Sequence, residues 1–429
     1  MNWKSFLVAC TILVAVPSSG LALDADPYCI KDPTVDCILA MVGSGIDDLR
    51  PGYRTDAVLA DYARALALSG RDEEAVMILE RITSDRSRNQ VLTTLAAQQP
   101  GKGGGQAANA LLDEGIEPER RVVDYAMMAE AAFRRDKADE ARVFLDLALK
   151  AAAEIEAGTG TPHGHYRLAS ALDMAENHEA AKNRARAIAD PSNRAITLIE
   201  LATRRAQKGR EGDAHALMAE AAVLREELPP EKRSLPISRA AEFWIRQGDT
   251  ARALEIARSA APEDVRKKVL GGLVYTAAQS GNWNLAKDLA EEADAQDTLA
   301  SVYGQCASGF AARGELGTNT CLEQAHVLLE GLIRNAGQRT ERDRYMLNDA
   351  IVAVAVAESL SGNPEAVRKL IASLPDARSR QHANHMIINA QTGRDTTLAL
   401  LMALNIDSSD AKLEALARMA RFLATDAKN

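Results

Sequence analysis

Aromatic side chains are scarce in this sequence: phenylalanine, tryptophan and tyrosine make up 4% of its 429 residues, although 47% are hydrophobic. A core with so few rings has to be filled by alanine and aliphatic side chains, which suits closely packed helices better than a sandwich of strands. Long hydrophobic runs are missing after the first residues, so no later segment reads as a membrane span, which takes roughly 20 apolar residues. Basic blocks are missing as well, and the net charge is −9. Nucleic acid is therefore not an expected partner.

What is present begins with a leader-like segment. Lys4 carries its one positive charge, Ser5 to Val16 runs without a charged residue, and Gly20 and Ala22 are small residues at the two sites a signal peptidase inspects. This predicts a cleaved signal peptide over residues 1–22 and a soluble mature chain in the periplasm, starting at Leu23. Leu7-Val8-Ala9-Cys10 is similar to a lipobox, but the apolar run continues to Val16 and leaves too little hydrophobic segment ahead of the cysteine, so lipidation is not expected. Cleavage removes Cys10 and leaves Cys29, Cys37, Cys306 and Cys321, an even number for an oxidising compartment. The favoured pairing is Cys29 with Cys37, stapling the segment ahead of the first hairpin, and Cys306 with Cys321, which bracket Gly314 and an insertion before Ala325.

The informative feature is an internal period. Aligned on the residue at the bend between two helices, the chain has bends at Gly70, Gly103 and Asp136, then Glu176 and Gly209, then Gly248, Gly281 and Gly314, then Gly362 and Asp395. Within each block the step is 33 residues; between blocks it is 40, 39 and 48, so three insertions interrupt the repeat. Seven residues before the bend stands Ala63, Ala96, Ala129, Ala169, Ala202, Ala241, Ala307 or Ala355, with Val274 and Ile388 as exceptions. Five after it stands Ala75, Ala108, Ala141, Ala181, Ala214, Ala253 or Ala286. Small residues at both offsets let two helices approach to roughly 8 Å.

This pattern resembles the tetratricopeptide repeat, as in Tyr62-Ala63 to Ala75, Leu201-Ala202 to Ala214 and Leu273-Val274 to Ala286. The early tryptophan of that family is missing. Its closing proline is replaced by an acidic or proline turn followed by arginine: Asp85 to Arg88, Asp190-Pro191 to Arg194, Pro262-Glu263 to Arg266 and Asp376 to Arg380. These turns are expected to cap the next helix. The resemblance implies an all-α fold, a right-handed superhelical solenoid of about ten hairpins. The expected organisation is a signal peptide at 1–22, an N-terminal cap segment at 23–50 containing Cys29 and Cys37, and a solenoid at 51–429 that ends in a capping helix.

Catalytic chemistry is thin. Gly101-Lys102-Gly103-Gly104-Gly105 lacks the Gly-Lys-Ser/Thr ending of a phosphate loop, and the histidine pairs His163/His165 and His382/His385 lack a third metal ligand. No nucleophile motif is present, so neither an enzyme nor a cofactor or metal is expected. The expected role is an exported scaffold that holds a protein or peptide partner of the cell envelope in its concave groove. The alternative is a peptidoglycan-acting enzyme, or its accessory subunit, built on a helical superhelix.

In the resembling family that groove is lined by first-helix positions 13, 10, 6, 3 and 2 before the bend. Here those offsets select mostly small or apolar residues such as Ala57, Ala60, Ala126, Ile196 and Ile199. The exceptions are His163 with Tyr166, Glu130 with Arg134, Glu242 with Arg246, Lys268 with Tyr275, and His382 with His385. No basic clamp for a carboxylate terminus is apparent, so the expected occupant is an extended or helical segment held by apolar contact and a few polar anchors.

Overall fold

The computed structural model describes residues 27–49, 52–98, 118–155, 162–315, 317–338, 340–406 and 408–426. The segment read as a signal peptide, the bend at Gly103 and Ala108 lie outside them. The described residues form 22 α-helices and no strand. Two short helices come first, α1 (Pro27–Lys31) and α2 (Val35–Gly45). Hairpins then follow as α3 (Tyr53–Leu68) with α4 (Asp72–Leu79), the first helix α5 (Asp85–Gln98), α6 (Pro118–Arg134) with α7 (Ala138–Glu154), and α8 (Pro162–Met174) with α9 (His178–Arg186). Next come α10 (Pro191–Gln207) with α11 (Glu211–Glu227), α12 (Ser234–Arg246) with α13 (Thr250–Arg258), and α14 (Glu263–Gln279) with α15 (Trp283–Ala293). The last are α16 (Gln296–Arg313) with α17 (Thr318–Arg334), α18 (Glu341–Leu360) with α19 (Pro364–Ser373), α20 (Ala377–Thr392) with α21 (Thr396–Leu404), and a final helix α22 (Ser409–Asp426). This is an all-α solenoid of helical hairpins.

The bends explain the period. Six glycines at predicted bends, Gly70, Gly209, Gly248, Gly281, Gly314 and Gly362, have φ between 69 and 80°, and Asp136 and Glu176 hold the same left-handed conformation at 57 and 62°. Each lets the next N–H reach back five residues, as in Arg71 to the Leu66 carbonyl at 2.9 Å and Asn177 to that of Leu172 at 2.9 Å, which closes the first helix with a Schellman turn. The tenth bend is corrected. Asp395 is the N-cap of α21, accepting the Leu398 N–H at 2.9 Å, a place that Asn177, Asp249, Asn282 and Asn363 hold in their own hairpins. Its bend therefore falls at Arg394, and Ala399, buried four residues after the cap, takes the alanine position. All ten residues seven before the predicted bends are buried, alanine or not.

The three insertions go largely into second helices. Second helices α7, α11 and α17 have 17 residues each, where α4, α9, α13, α15, α19 and α21 have 8 to 11. In α17 the N-cap is Gly317, so Cys321 stands where the other hairpins have alanine, one turn earlier than Ala325. Cys306 pairs with Cys321 and Cys29 with Cys37, their Cα atoms 6.1 and 5.7 Å apart, within the ordinary span of a disulfide. The second bridge thus joins α16 to the first turn of α17, and does not tie back a long loop.

The acidic turns cap as expected at Asp190 and Asp376, whose carboxylates accept the N–H groups of Asn193 and Ser379 at 2.9 and 2.8 Å. At the first turn Asp85 is only a first-turn residue of α5. Asp56 of α3 accepts the Thr83 and Ser84 N–H groups there, at 3.0 and 2.9 Å. The arginines of these turns reach backwards. Arg88, Arg194 and Arg380 donate to the carbonyls of Leu79, Ile188 and Leu374 at 3.2, 2.9 and 2.8 Å, reaching acceptors where the preceding hairpin ends. Arg233 does the same to Leu228 at 2.6 Å.

The chain divides into two compact units, Met1–Val91 with Ile387–Asn429, and Leu92–Met386. In the second, first helices pack on first helices: α16 on α18, α6 on α8, and α12 on α14. Gly304 marks a close approach, since a Cβ there would lie 2.8 Å from the Ala353 and Val354 backbone of α18.

The first unit is built from both ends of the chain. There α22 packs extensively on α3 and then on α2, and only lightly on its own predecessor α21. That is how a first helix elsewhere packs on the next first helix and on its own second helix. Helices α22 and α2 thus make one composite hairpin whose members come from opposite ends of the sequence. Its seam is dry, with Ile38, Leu39 and Val42 of α2 and Leu413, Leu416 and Met419 of α22 all buried. Beside it, Asp61 of α3 faces Arg418 and Arg421 of α22 at 3.6 and 2.8 Å.

Candidate functional site

First helices of the second unit present a band of charged and aromatic side chains centred on Tyr166 of α8. Arg167 lies beside the Tyr166 ring, its guanidinium carbon 5.3 Å from the centroid, and also 3.5 Å from the Glu130 carboxylate of α6. Arg134, one turn after Glu130, approaches the same oxygen at 3.6 Å. Burial is the main cause of the raised Tyr166 pKa; Glu200 of α10 adds to it, while Arg204 and Arg167 oppose it. Glu200 pairs with Arg239 of α12 at 3.8 Å, and Arg239 with Glu242 at 2.9 Å. An alternation of carboxylates and guanidiniums therefore runs across α6, α8, α10 and α12.

The residues selected from sequence fall unevenly. Glu130 is 2% exposed and Arg134 is exposed. Glu242 turns to Arg239 and Ser238 and not to Arg246, which is exposed. Lys268 is exposed and pairs with Asp264 at 3.4 Å, and Tyr275 on the same helix is 41% exposed. His382 is exposed and within electrostatic reach of Asp349, whereas His385 is 5% exposed and offers little surface. His163 lies on α8, its side chain outside the described set. Arg167, Glu200 and Arg239 were missed. They stand nine residues before their bends, an offset not among the five carried over from the resembling family, though three charged residues at one offset in consecutive units were visible in the alignment.

Second helices hold a different feature, a groove of about 680 Å³ between α17 and α19, lined by Leu329, Ile333, Ala366 and Leu370 and rimmed by Glu330 and Lys369. At its edge His326 contacts Glu358 of α18 at 2.5 Å. Among the described residues, no group of three or more His, Cys, Asp and Glu gathers as metal ligands would, and no helix is long and apolar enough to cross a membrane. The two cysteine pairs lie at disulfide distance, the kind of bridge that an oxidising compartment sustains.

No protein family matches the chain, and no curated protein matches it in sequence. Among solved structures it is similar to the crystal structure of Ton1535 from Thermococcus onnurineus NA1, at 16% identity over 77% of this chain and 98% of that one, with a TM-score of 0.29. It is also similar to a circular tandem repeat protein with novel repeat topology and enhanced subunit contact surfaces, at 14% identity over 99% of this chain and 96% of that one, with a TM-score of 0.19. At these scores the backbones do not superpose as one fold. The architecture stands on the helices and bends of this chain, and a stacked helical repeat of this kind is in general terms an interaction scaffold.

Proposed function

We propose that this protein is an exported, non-catalytic scaffold that binds a peptide, helix or domain of an envelope partner along its first-helix, concave face. In this reading residues 1–22 direct it to the periplasm, where it is soluble and unlipidated. The observation that carries the proposal is the band around Tyr166. Four consecutive first helices carry alternating carboxylates and guanidiniums beside the Tyr166 ring, an extended surface and not an enclosed site. A pull-down from the envelope fraction with the mature protein as bait tests it. Tyr166→Ala and Tyr275→Ala should each weaken capture while leaving the helical circular dichroism intact. Capture that survives both, and is lost on substituting exposed second-helix residues, overturns the choice of face; turnover in a peptidoglycan-release assay overturns the scaffold itself.

A further inference from the structure

Guanidinium groups outnumber carboxylates in the band around Tyr166. Arg134, Arg167, Arg204 and Arg239 face Glu130, Glu200 and Glu242, in a chain whose net charge is −9. Glu130 alone serves both Arg134 and Arg167, at 3.6 and 3.5 Å. Arg204 lies one turn after Glu200 on α10, within electrostatic reach of Tyr166.

Hydrogen bonding is more lopsided than charge. Arg167 Nε, Arg204 Nη1 and Arg239 Nε are buried atoms that reach no acceptor; Arg239 Nε is 3.8 Å from Glu200, too far for a hydrogen bond. A buried donor left without an acceptor forfeits the hydration it had in water. These nitrogens are enclosed, but the Arg167 and Arg239 side chains are 28% and 41% exposed and Arg204 is half-buried, so three consecutive first helices, α8, α10 and α12, turn open guanidinium edges to a ligand that supplies acceptors.

Relying on the proposed first-helix face, we infer that this band receives an extended acidic peptide whose side-chain carboxylates meet Arg167, Arg204 and Arg239. Neighbouring first helices lie roughly 9 Å apart, and a peptide extended as a polyproline-II helix advances about 3.1 Å per residue with three residues per turn, so every third side chain points the same way and reaches the next helix. A segment with Asp or Glu at every third position fits. Carboxylates suit the guanidinium fork. The interleaved Glu130, Glu200 and Glu242 disfavour a continuous phosphate backbone, which carries charge at every step.

The test is fluorescence anisotropy with the full mature protein and two labelled dodecapeptides, four repeats of Glu-Ser-Ser and four of Lys-Ser-Ser. The acidic peptide should bind, less tightly as salt rises, and the lysine peptide should not. Arg167→Gln, Arg204→Gln and Arg239→Gln should each weaken binding by about fivefold or more. Arg186→Gln and Arg258→Gln, which remove the same charge from second helices α9 and α13, should leave it unchanged. Arg204→Gln guards against misfolding, because no carboxylate hydrogen-bonds to the buried Nη1 that it replaces. Failure of the acidic peptide to bind at millimolar protein, equal loss in the second-helix variants, or equal binding of oligo-dT overturns the inference. A native partner that needs Tyr166 and Tyr275 but carries no acidic segment keeps the first-helix face and removes only the acidic occupant.

Discussion

Arg205 of α10 donates from Nε to the carboxylate of Asp173 on α8 at 3.1 Å, and both side chains are buried, 5% and 2% exposed. His178, at the start of α9, contacts the same carboxylate through Nδ1 at 2.9 Å and accepts Arg205 Nη2 at its carbonyl at 3.1 Å. One ion pair thus fastens a hairpin to itself and to the next. The position four before the bend repeats this role with other chemistry: Trp244 meets His215, ring centroids 5.4 Å apart, and Glu358 meets His326.

Removing one partner of a buried pair strands the other. Asp173→Ala should cost about 3 kcal/mol, whereas Asp173→Ala with Arg205→Met should recover much of that loss. Guanidinium denaturation followed by circular dichroism measures both. A single-variant loss below about 1 kcal/mol would show the pair to be solvated.

Gly304 and Gly272 make a matched test of packing against propensity. Alanine in mid-helix is worth about 1 kcal/mol over glycine. At Gly272 the nearest atom to an added Cβ is Ser238 Oγ at 3.8 Å, so Gly272→Ala should stabilise. At Gly304 the obstacle is backbone at 2.8 Å, and Gly304→Ala should destabilise by about 1–2 kcal/mol, because overpacking outweighs the propensity gain. Stabilisation at both sites would mean that α16 and α18 separate freely.

His326 gives the fold a pH dependence of definite sign. Its hydrogen bond to Glu358 raises the imidazole pKa above its ordinary 6.5. The folded state therefore holds the proton more tightly than the unfolded state. The resulting stability is full below pH 6.5 and is lost as pH rises through the raised value. Wild type should lose more stability than His326→Gln between pH 6 and pH 8; parallel losses in thermal melts would rule this out.

Ending the chain at Ile406 removes α22, whose Leu413, Leu416 and Met419 are buried in the composite hairpin. Amide hydrogens of α2 and α3 should then exchange much faster, while those of α12 to α15 keep their protection. Unchanged exchange in α2 would show that it does not depend on α22.

Local signals were legible in the sequence, and signals that depend on helix rotation or distant partners were not. Gly209 and Ala214 announce a bend and a helix contact because both lie within one hairpin. The disulfide partners Cys306 and Cys321 are equally close. Misplacing the tenth bend at Asp395 came from reading a capping aspartate as a bend residue, when side-chain capping and left-handed φ fall on adjacent positions. Glu200 and Arg239 meet only because two successive first helices turn the same flank towards one another, and a period by itself does not reveal which flank. Nothing near α2 in sequence pointed to α22.

Nearly the whole polypeptide separates α2 from α22, and this sets an order of events. During synthesis Ile38, Leu39 and Val42 emerge before the hairpins, yet the helix that packs on theirs is made after them. Each interior hairpin can settle on its predecessor as soon as it appears, but this contact must wait for a loop closure that spans all of them. An apolar face left open for that interval invites association with other chains, so the early helix is where a chaperone or an export factor would have most to protect.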